Sequence, residues 1–110
     1  MASENVKEFT DGNFQSEVLE AEVPVVVDFW AEWCQPCRML APTIDDLANR
    51  YDGRAKIGKV DTDANREVAF KYGISAIPTV IIFKDGEVQK KFVGLTSKDQ
   101  LSRALDEQLA

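Results

Sequence analysis

Apolar and polar positions alternate along the chain in blocks that predict a regular succession of strands and helices. The segment Val23–Trp30 is apolar at nearly every position, which is typical of a parallel strand covered on both faces. After Cys34, apolar residues recur every three or four positions as far as residue 51, and this spacing predicts the longest helix. A buried strand is therefore followed closely by a long helix that begins near Cys34.

Shorter segments of the same two kinds fill the rest of the chain. Asp85-Gly86 predicts a type I′ hairpin turn, and Ser97 with Gln100 predicts the capped start of the last helix. The other predicted strands are Val6–Phe9, Ala55–Asp61, Thr79–Lys84 and Glu87–Val93, and the other predicted helices are 13–19, 65–72 and the segment after Ser97. Five phenylalanines are assigned to the core, namely Phe14, Phe29, Phe70, Phe83 and Phe92. The order of elements predicts an α/β fold, with a mixed central sheet of about five strands and about four helices on its two faces.

Composition limits the classes of function. The 110 residues suffice for one domain, which we place at 1–110. The net charge of −6 argues against nucleic acid or an anionic membrane as the main partner, because both attract clustered Lys and Arg. The chain has no histidine, which excludes Cys–His and Ser–His catalysis and any His-liganded metal. No apolar stretch is long enough for a membrane span and no apolar signal segment is visible, so we expect a cytoplasmic protein.

Cys34 and Cys37 are the only cysteines, and two residues separate them. Backbone N–H groups and the positive end of the dipole at a helix start favour a thiolate, which is the reactive form. A second thiol three residues later is close enough to form a disulfide, so the pair can exchange two electrons. We predict that Cys34 is the exposed nucleophile, beside Trp33, and that Cys37 is more buried and resolves the mixed disulfide.

Two structural interpretations of the cysteine pair are less favourable. A closed zinc site needs four ligands, and with no further Cys or His in the chain it would require two copies. A structural disulfide that closes so short a loop stabilises a fold by only about 2 kcal/mol. The pattern therefore favours a redox pair and predicts no metal site.

Asp28 is an anomaly in the middle of the strand Val23–Trp30. A carboxylate there costs several kcal/mol unless it is neutral or paired, and we expect burial to raise its pKa. It could then accept the proton of Cys37 when that thiol attacks, through a water molecule. An aspartate at a strand end facing water is the alternative. Lys59, on the neighbouring strand, is the predicted counter-charge, although an ordinary exposed lysine is also possible.

Several motifs together resemble the thioredoxin family. The segments that carry the resemblance are Val27–Cys34 with Pro36-Cys37, Lys59–Asp61, Tyr72–Ile74, Ile77–Thr79 and Phe83–Gly86. The resemblance implies a thioredoxin fold and a protein that reduces disulfides in other proteins and is recharged by a thioredoxin reductase. It also implies a monomer with no bound cofactor, whose redox group is the Cys34–Cys37 disulfide, and it supports the catalytic role of Asp28.

The resemblance also predicts a substrate groove beside the cysteines. An X-Pro bond is cis in only about 5–6% of cases, but the resemblance implies a cis Ile77–Pro78 bond. Its backbone would pair with an extended substrate chain by strand addition, and Gly94 would leave room for that chain. The predicted substrate-contact residues are Trp33, Gln35, Pro36, Ala76, Ile77, Pro78 and Gly94. Gln35 and Ala76 depart from the usual motif, because glycine is common at both positions.

Two other functions fit parts of the pattern. Oxidases and isomerases of the same fold often carry histidine before the second cysteine, where this chain has Pro36. A binding subunit could use the same groove without redox chemistry, and it should tolerate replacement of both cysteines. Reduction of protein disulfides is the leading interpretation.

Overall fold

A mixed five-stranded sheet lies at the centre of the molecule. The computed structural model describes residues 3–110. The strands are β1 (Val6–Glu8), β2 (Val25–Trp30), β3 (Lys56–Asp61), β4 (Thr79–Lys84) and β5 (Glu87–Val93), in the spatial order β1-β3-β2-β4-β5. β1 and β2 pair with β3 in parallel, whereas β4 is antiparallel to both β2 and β5. The predicted mixed sheet of five strands is confirmed.

Four helical segments connect the strands or follow them, as predicted. They are a short π-helix (Gln15–Leu19), α1 (Gln35–Arg50), α2 (Arg66–Lys71) and α3 (Lys98–Leu109). Ser97 caps α3 by accepting a hydrogen bond from the backbone N–H of Gln100 at 3.2 Å. The hairpin turn has positive φ at Asp85 (54°) and Gly86 (79°), as a type I′ turn requires. No helix within residues 3–110 is long and apolar enough to cross a membrane.

Each face of the sheet carries its own hydrophobic core. Val26 on β2 packs with the buried sides of α1 and α3, while Val25, Val27 and Phe29 pack on the opposite face beneath the π-helix and α2. Side chains alternate between the faces of a strand, so Asp28 and Trp30 lie on the same face as Val26. This alternation places the carboxylate of Asp28 on the side of the sheet that α1 covers.

The assignment of Phe70 to the core is wrong. Its side chain is 88% exposed, whereas Val68 in the same helix is buried. Two positions along an α-helix correspond to about 200° of rotation, so the face of α2 that buries Val68 turns Phe70 towards solvent. The other four phenylalanines lie in the core or pack against it.

Candidate active site

Cys34 and Cys37 meet at the junction between β2 and α1. Cys34 is the residue that caps α1, with an extended backbone (φ −90°, ψ 109°). Its Sγ accepts a hydrogen bond from the backbone N–H of Cys37 at 3.3 Å. The two sulfurs lie within disulfide-bonding distance, and the Cα atoms are 5.3 Å apart. Pro36 fits the first turn because no helical hydrogen bond there needs its N–H.

Both cysteines are enclosed, which differs from the prediction for Cys34. Cys34 is 4% exposed and Cys37 is 2% exposed. Cys37 is therefore the more buried of the two, as predicted, but the difference in exposure is small. They pack with Ala31, against which Trp30 and Ile77 also lie, and the Sγ of Cys34 is 3.7 Å from the carbonyl oxygen of Ile77. The helix start therefore orients Cys34 towards Ile77, but the neighbouring side chains leave little of its surface open in this disulfide-bonded arrangement.

Asp28 is fully buried in the middle of β2, as the apolar pattern predicts. Its neighbours in the sheet are Lys59 on β3 and Val80 on β4. Neither carboxylate oxygen has a hydrogen-bond partner within residues 3–110. Burial raises the pKa of the Asp28 carboxyl to about 7, and the positive charge of Lys59 limits the rise. This carboxyl therefore titrates near neutral pH.

Lys59 influences Asp28 without forming an ion pair with it. The ion pairs within the described part of the chain are Lys56–Glu17, Lys98–Asp46 and Arg103–Asp99. The ammonium of Lys59 instead lies 5.3 Å from the centre of the Trp30 ring, in a cation–π arrangement. The side chain is half-buried, so it is neither the fully exposed lysine of the alternative interpretation nor a direct partner of the carboxylate.

The loop before β4 forms one side of a groove next to Cys34. The Ile77–Pro78 bond is cis, as the resemblance implied. The carbonyl of Pro78 accepts a hydrogen bond from the N–H of Gly94 at 2.8 Å, which ties this loop to the end of β5. Among residues 3–110 the backbone N–H and C=O of Ile77 have no backbone partner. They can therefore pair with a further extended chain.

Gly94 leaves open space at the edge of this groove. Its φ is +91°, a conformation that glycine adopts without steric cost. No heavy atom lies within 4 Å of the position that a Cβ would occupy. Ala76 and Gln35 are also exposed, so the side chains at both departures from the common motif face solvent.

Trp33 is the most prominent apolar side chain of this surface. It is 68% exposed, and its indole N–H donates a hydrogen bond to the carboxylate of Asp63 at 2.8 Å. Val93 and Leu95 flank Gly94 and are also exposed. The sequence analysis did not identify Asp63, Val93 or Leu95 as residues of this surface. The position of Asp63 two residues after the end of β3 was the available signal, because β3 pairs with β2 and both strands end near Trp33.

Within residues 3–110, no group of three or more His, Cys, Asp and Glu side chains is placed to hold a metal ion. The titratable groups on the face of β2 that α1 covers include the buried carboxyl of Asp28, whose neighbour in the sheet is Lys59. The arrangement thus joins a disulfide at a helix start, a carboxyl that titrates near neutrality and a backbone edge that is open for pairing.

Replacement of Gln35 by glycine tests the departure between the cysteines. Gln35 is the first residue of α1, and its side chain is exposed and uncharged, so it should stabilise neither redox state strongly. We expect the redox potential to change by less than about 30 mV, which for two electrons corresponds to about 1.4 kcal/mol. Titration of both proteins against glutathione checks this. A much larger change would mean that this position sets the direction of the chemistry.

The comparisons with known proteins agree with this geometry. The family model named Thioredoxin matches residues 5–107. The chain is 51% identical over 100 residues to Thioredoxin 1 from Nostoc sp., covering 91% of this chain and 94% of that protein. It is 47% identical over 104 residues to a thioredoxin from Pseudomonas aeruginosa, covering 94% and 96%. Thioredoxin 1 from Synechococcus elongatus is 51% identical over 100 residues, covering 91% and 94%.

Proposed function

This chain belongs to the thioredoxin family and is a thiol–disulfide oxidoreductase, and from this premise we propose how its own residues reduce disulfides in partner proteins. The position of Cys34 at the start of α1 carries the proposal. Its sulfur accepts the N–H of Cys37 and faces the backbone of Ile77. A thiolate at this point is stabilised by the helix start and lies beside the edge along which a substrate chain can bind.

The reaction consists of two exchanges. The thiolate of Cys34 attacks one sulfur of the substrate disulfide, the substrate S–S bond breaks, and the second substrate sulfur leaves as a thiolate that takes up a proton. The thiolate of Cys37 then attacks the sulfur of Cys34, and the first substrate sulfur leaves in turn. Two electrons pass to the substrate, which becomes a dithiol, while Cys34 and Cys37 become a disulfide.

Asp28 is the proposed proton acceptor for Cys37. Cys37 must lose its proton before it can attack, and a base is most effective when its pKa lies near the working pH. The carboxyl of Asp28 titrates near 7 and lies on the face of β2 that α1 covers. Trp30, two positions further along the same face, lies in the cluster with Cys37. A water molecule between the carboxylate and the thiol would complete the transfer.

An extended segment of the substrate is proposed to bind along Ile77. The backbone N–H and C=O of Ile77, which have no backbone partner among residues 3–110, would form hydrogen bonds to that segment, as in strand addition. Gly94 leaves space for its passage, and Trp33 with Ala76 provides apolar contacts on either side. This binding depends mainly on backbone atoms and shallow apolar contacts, so it suits substrates of varied sequence.

The oxidised protein must be returned to the dithiol form. We propose that a thioredoxin reductase supplies the two electrons and that the chain works as a monomer, with no bound cofactor. A cytoplasmic location fits this cycle because that compartment keeps thiols reduced. Disulfide-containing proteins would be the substrates.

Simultaneous replacement of Cys34 and Cys37 by serine tests the proposed function. We expect this variant to lose all catalysis of insulin reduction by dithiothreitol, because no sulfur remains to carry the exchange. Circular dichroism shows whether the fold is retained. Catalysis by the folded double variant at the level of the native protein would contradict the proposal. In contrast, a subunit that acts only by binding would keep its partner complex after the same change.

A further inference from the structure

Thr79 begins β4, immediately after the loop that borders the substrate groove. Its side chain is buried, with 1% exposed, and its backbone lies between Phe29 on β2 and Val93 on β5. Because side chains alternate along a strand, Thr79 shares the face of Ile81, which is opposite to the face that carries Asp28. A β-branched side chain in this packed position has little rotational freedom, so its hydroxyl is held in one direction.

The hydroxyl of Thr79 donates a hydrogen bond to the backbone carbonyl of Ala76 at 2.6 Å. A buried hydroxyl without a partner costs free energy, and this carbonyl is the partner that the structure gives it. The same carbonyl accepts no backbone N–H among residues 3–110. The hydrogen bond from Thr79 therefore sets the direction of the Ala76 carbonyl.

The direction of the Ala76 carbonyl also decides where the N–H of Ile77 points. The two groups belong to one trans peptide unit, which is planar and holds its C=O and N–H in opposite directions. With the carbonyl turned towards Thr79, the N–H of Ile77 is turned away from it, and this N–H has no backbone partner among residues 3–110. Ala76 is exposed, so without the hydroxyl its carbonyl is free to turn towards solvent, and the N–H of Ile77 turns with it.

We infer that Thr79 is a positioning residue for protein substrates, because its hydroxyl holds the N–H of Ile77 in the direction in which a substrate backbone binds. The inference rests on the proposed function, in which an extended substrate segment pairs with Ile77. Cys34 and Cys37 carry out the exchange, whereas Thr79 acts through the backbone and only on substrates that have a peptide chain to pair. A small disulfide without a peptide backbone therefore reacts independently of Thr79.

Thr79→Val tests this role, because valine keeps the β-branched shape and removes the hydroxyl. Single-turnover kinetics give the second-order rate constants of the reduced protein with insulin and with hydroxyethyl disulfide, which has no peptide backbone. We expect Thr79→Val to lower the rate constant with insulin by about tenfold and that with hydroxyethyl disulfide by less than about twofold, as the loss of one hydrogen bond allows. Equal losses with both disulfides, or no loss with insulin, would overturn the inference.

Thr79→Ser and Thr79→Ala form a second pair, which differs only in the hydroxyl and serves even where valine disturbs folding. We expect serine to keep the rate constant with insulin within about twofold of the native value and alanine to lower it by about tenfold. An equal loss in both variants would assign the effect to packing and overturn the inference.

Thr62→Val is the matched control outside the groove. It removes a hydroxyl that donates to the carbonyl of Trp30 at 3.2 Å, and that carbonyl keeps the backbone N–H of Thr62 as a donor. We expect both rate constants to stay at the native values, and a loss with insulin equal to that of Thr79→Val would overturn the inference. Native reduction of insulin with an unchanged Thr79→Val removes only the role of Thr79, whereas a native protein that does not reduce insulin contradicts the proposed function itself.

Discussion

Replacing Cys37 with serine should convert the protein into a trap that holds its substrates as mixed disulfides on Cys34. Serine keeps the size of the side chain but cannot attack a sulfur, so the reaction stops after the first exchange. The native second step is intramolecular, with Cα atoms 5.3 Å apart, and such steps have a large advantage over attack by an external thiol. We expect turnover to fall by more than about a thousandfold.

Mass spectrometry of the trapped adducts measures this result. Cys34→Ser is the matched control, since it removes the proposed nucleophile by an equally small change and should form no adduct. The control is informative because the exposures of the two cysteines differ little, at 4% and 2%. The assignment therefore rests on the helix start and on the contact with Ile77. Substrate adducts on Cys37 in the Cys34→Ser variant, at the level of the trap, would reverse the two roles.

Asp28→Asn should stabilise the protein above neutral pH and remove a pH dependence of its stability. The native pKa of Asp28 is about 7, against an ordinary value of 3.8. Between these values the native state keeps its proton while the unfolded state loses it, so stability falls as the pH rises. Above about pH 7 the full cost of the buried charge is present, and below about pH 4 it is absent. A difference of about 3 pH units corresponds to about 4 kcal/mol.

Chemical unfolding of both proteins between pH 4 and pH 9 measures this effect. We expect the free energy of unfolding of Asp28→Asn, relative to the native protein, to increase by up to about 4 kcal/mol across that range. Asp61→Asn is the control, because Asp61 lies on the neighbouring strand and its replacement keeps an acceptor for the N–H of Asp63. A pH-independent difference between Asp28→Asn and the native protein would contradict the burial of an ionisable carboxyl.

The same substitution should slow the reduction of disulfides. Asparagine cannot accept the proton of Cys37, so we expect the resolving step at pH 8 to slow by about 10²-fold, at the lower end of what a positioned base contributes. The native rate should rise with pH through about 7, whereas the variant should lack this inflection. Stopped-flow measurements over this pH range decide the matter. Rates that are identical at every pH would exclude a role of Asp28 in proton transfer.

The sequence predicted most of the backbone because its local signals agree with one another. The apolar run of β2, the Asp85-Gly86 turn and the Ser97 cap each have a local physical cause that does not depend on distant residues. The burial of Asp28 followed from the same run, since a strand covered on both faces leaves no exposed position at its centre. The resemblance to a known family then identified the groove at Ile77–Pro78.

The remaining features depend on contacts between distant segments. Phe70 was assigned to the core from its chemistry, but the face of α2 that meets the sheet is set by Val68. The ammonium of Lys59 lies over the Trp30 ring and forms no ion pair with Asp28, and no pattern along β3 reveals that arrangement. The enclosure of Cys34 similarly arises from Ile77, which is 43 residues away in sequence. Side-chain directions of this kind are decided by tertiary packing.

The equilibrium redox potential of the Cys34–Cys37 pair is the most direct test of the account. No positively charged side chain lies between the cysteines to stabilise the thiolate further, since Gln35 and Pro36 are both uncharged. We therefore expect a potential more negative than that of the cytosolic glutathione pool, which lies at about −220 to −260 mV by extraction methods. Titration of the protein against glutathione gives the value. A potential near about −180 mV, as in oxidising isomerases, would contradict the assignment of this chain as a reductase.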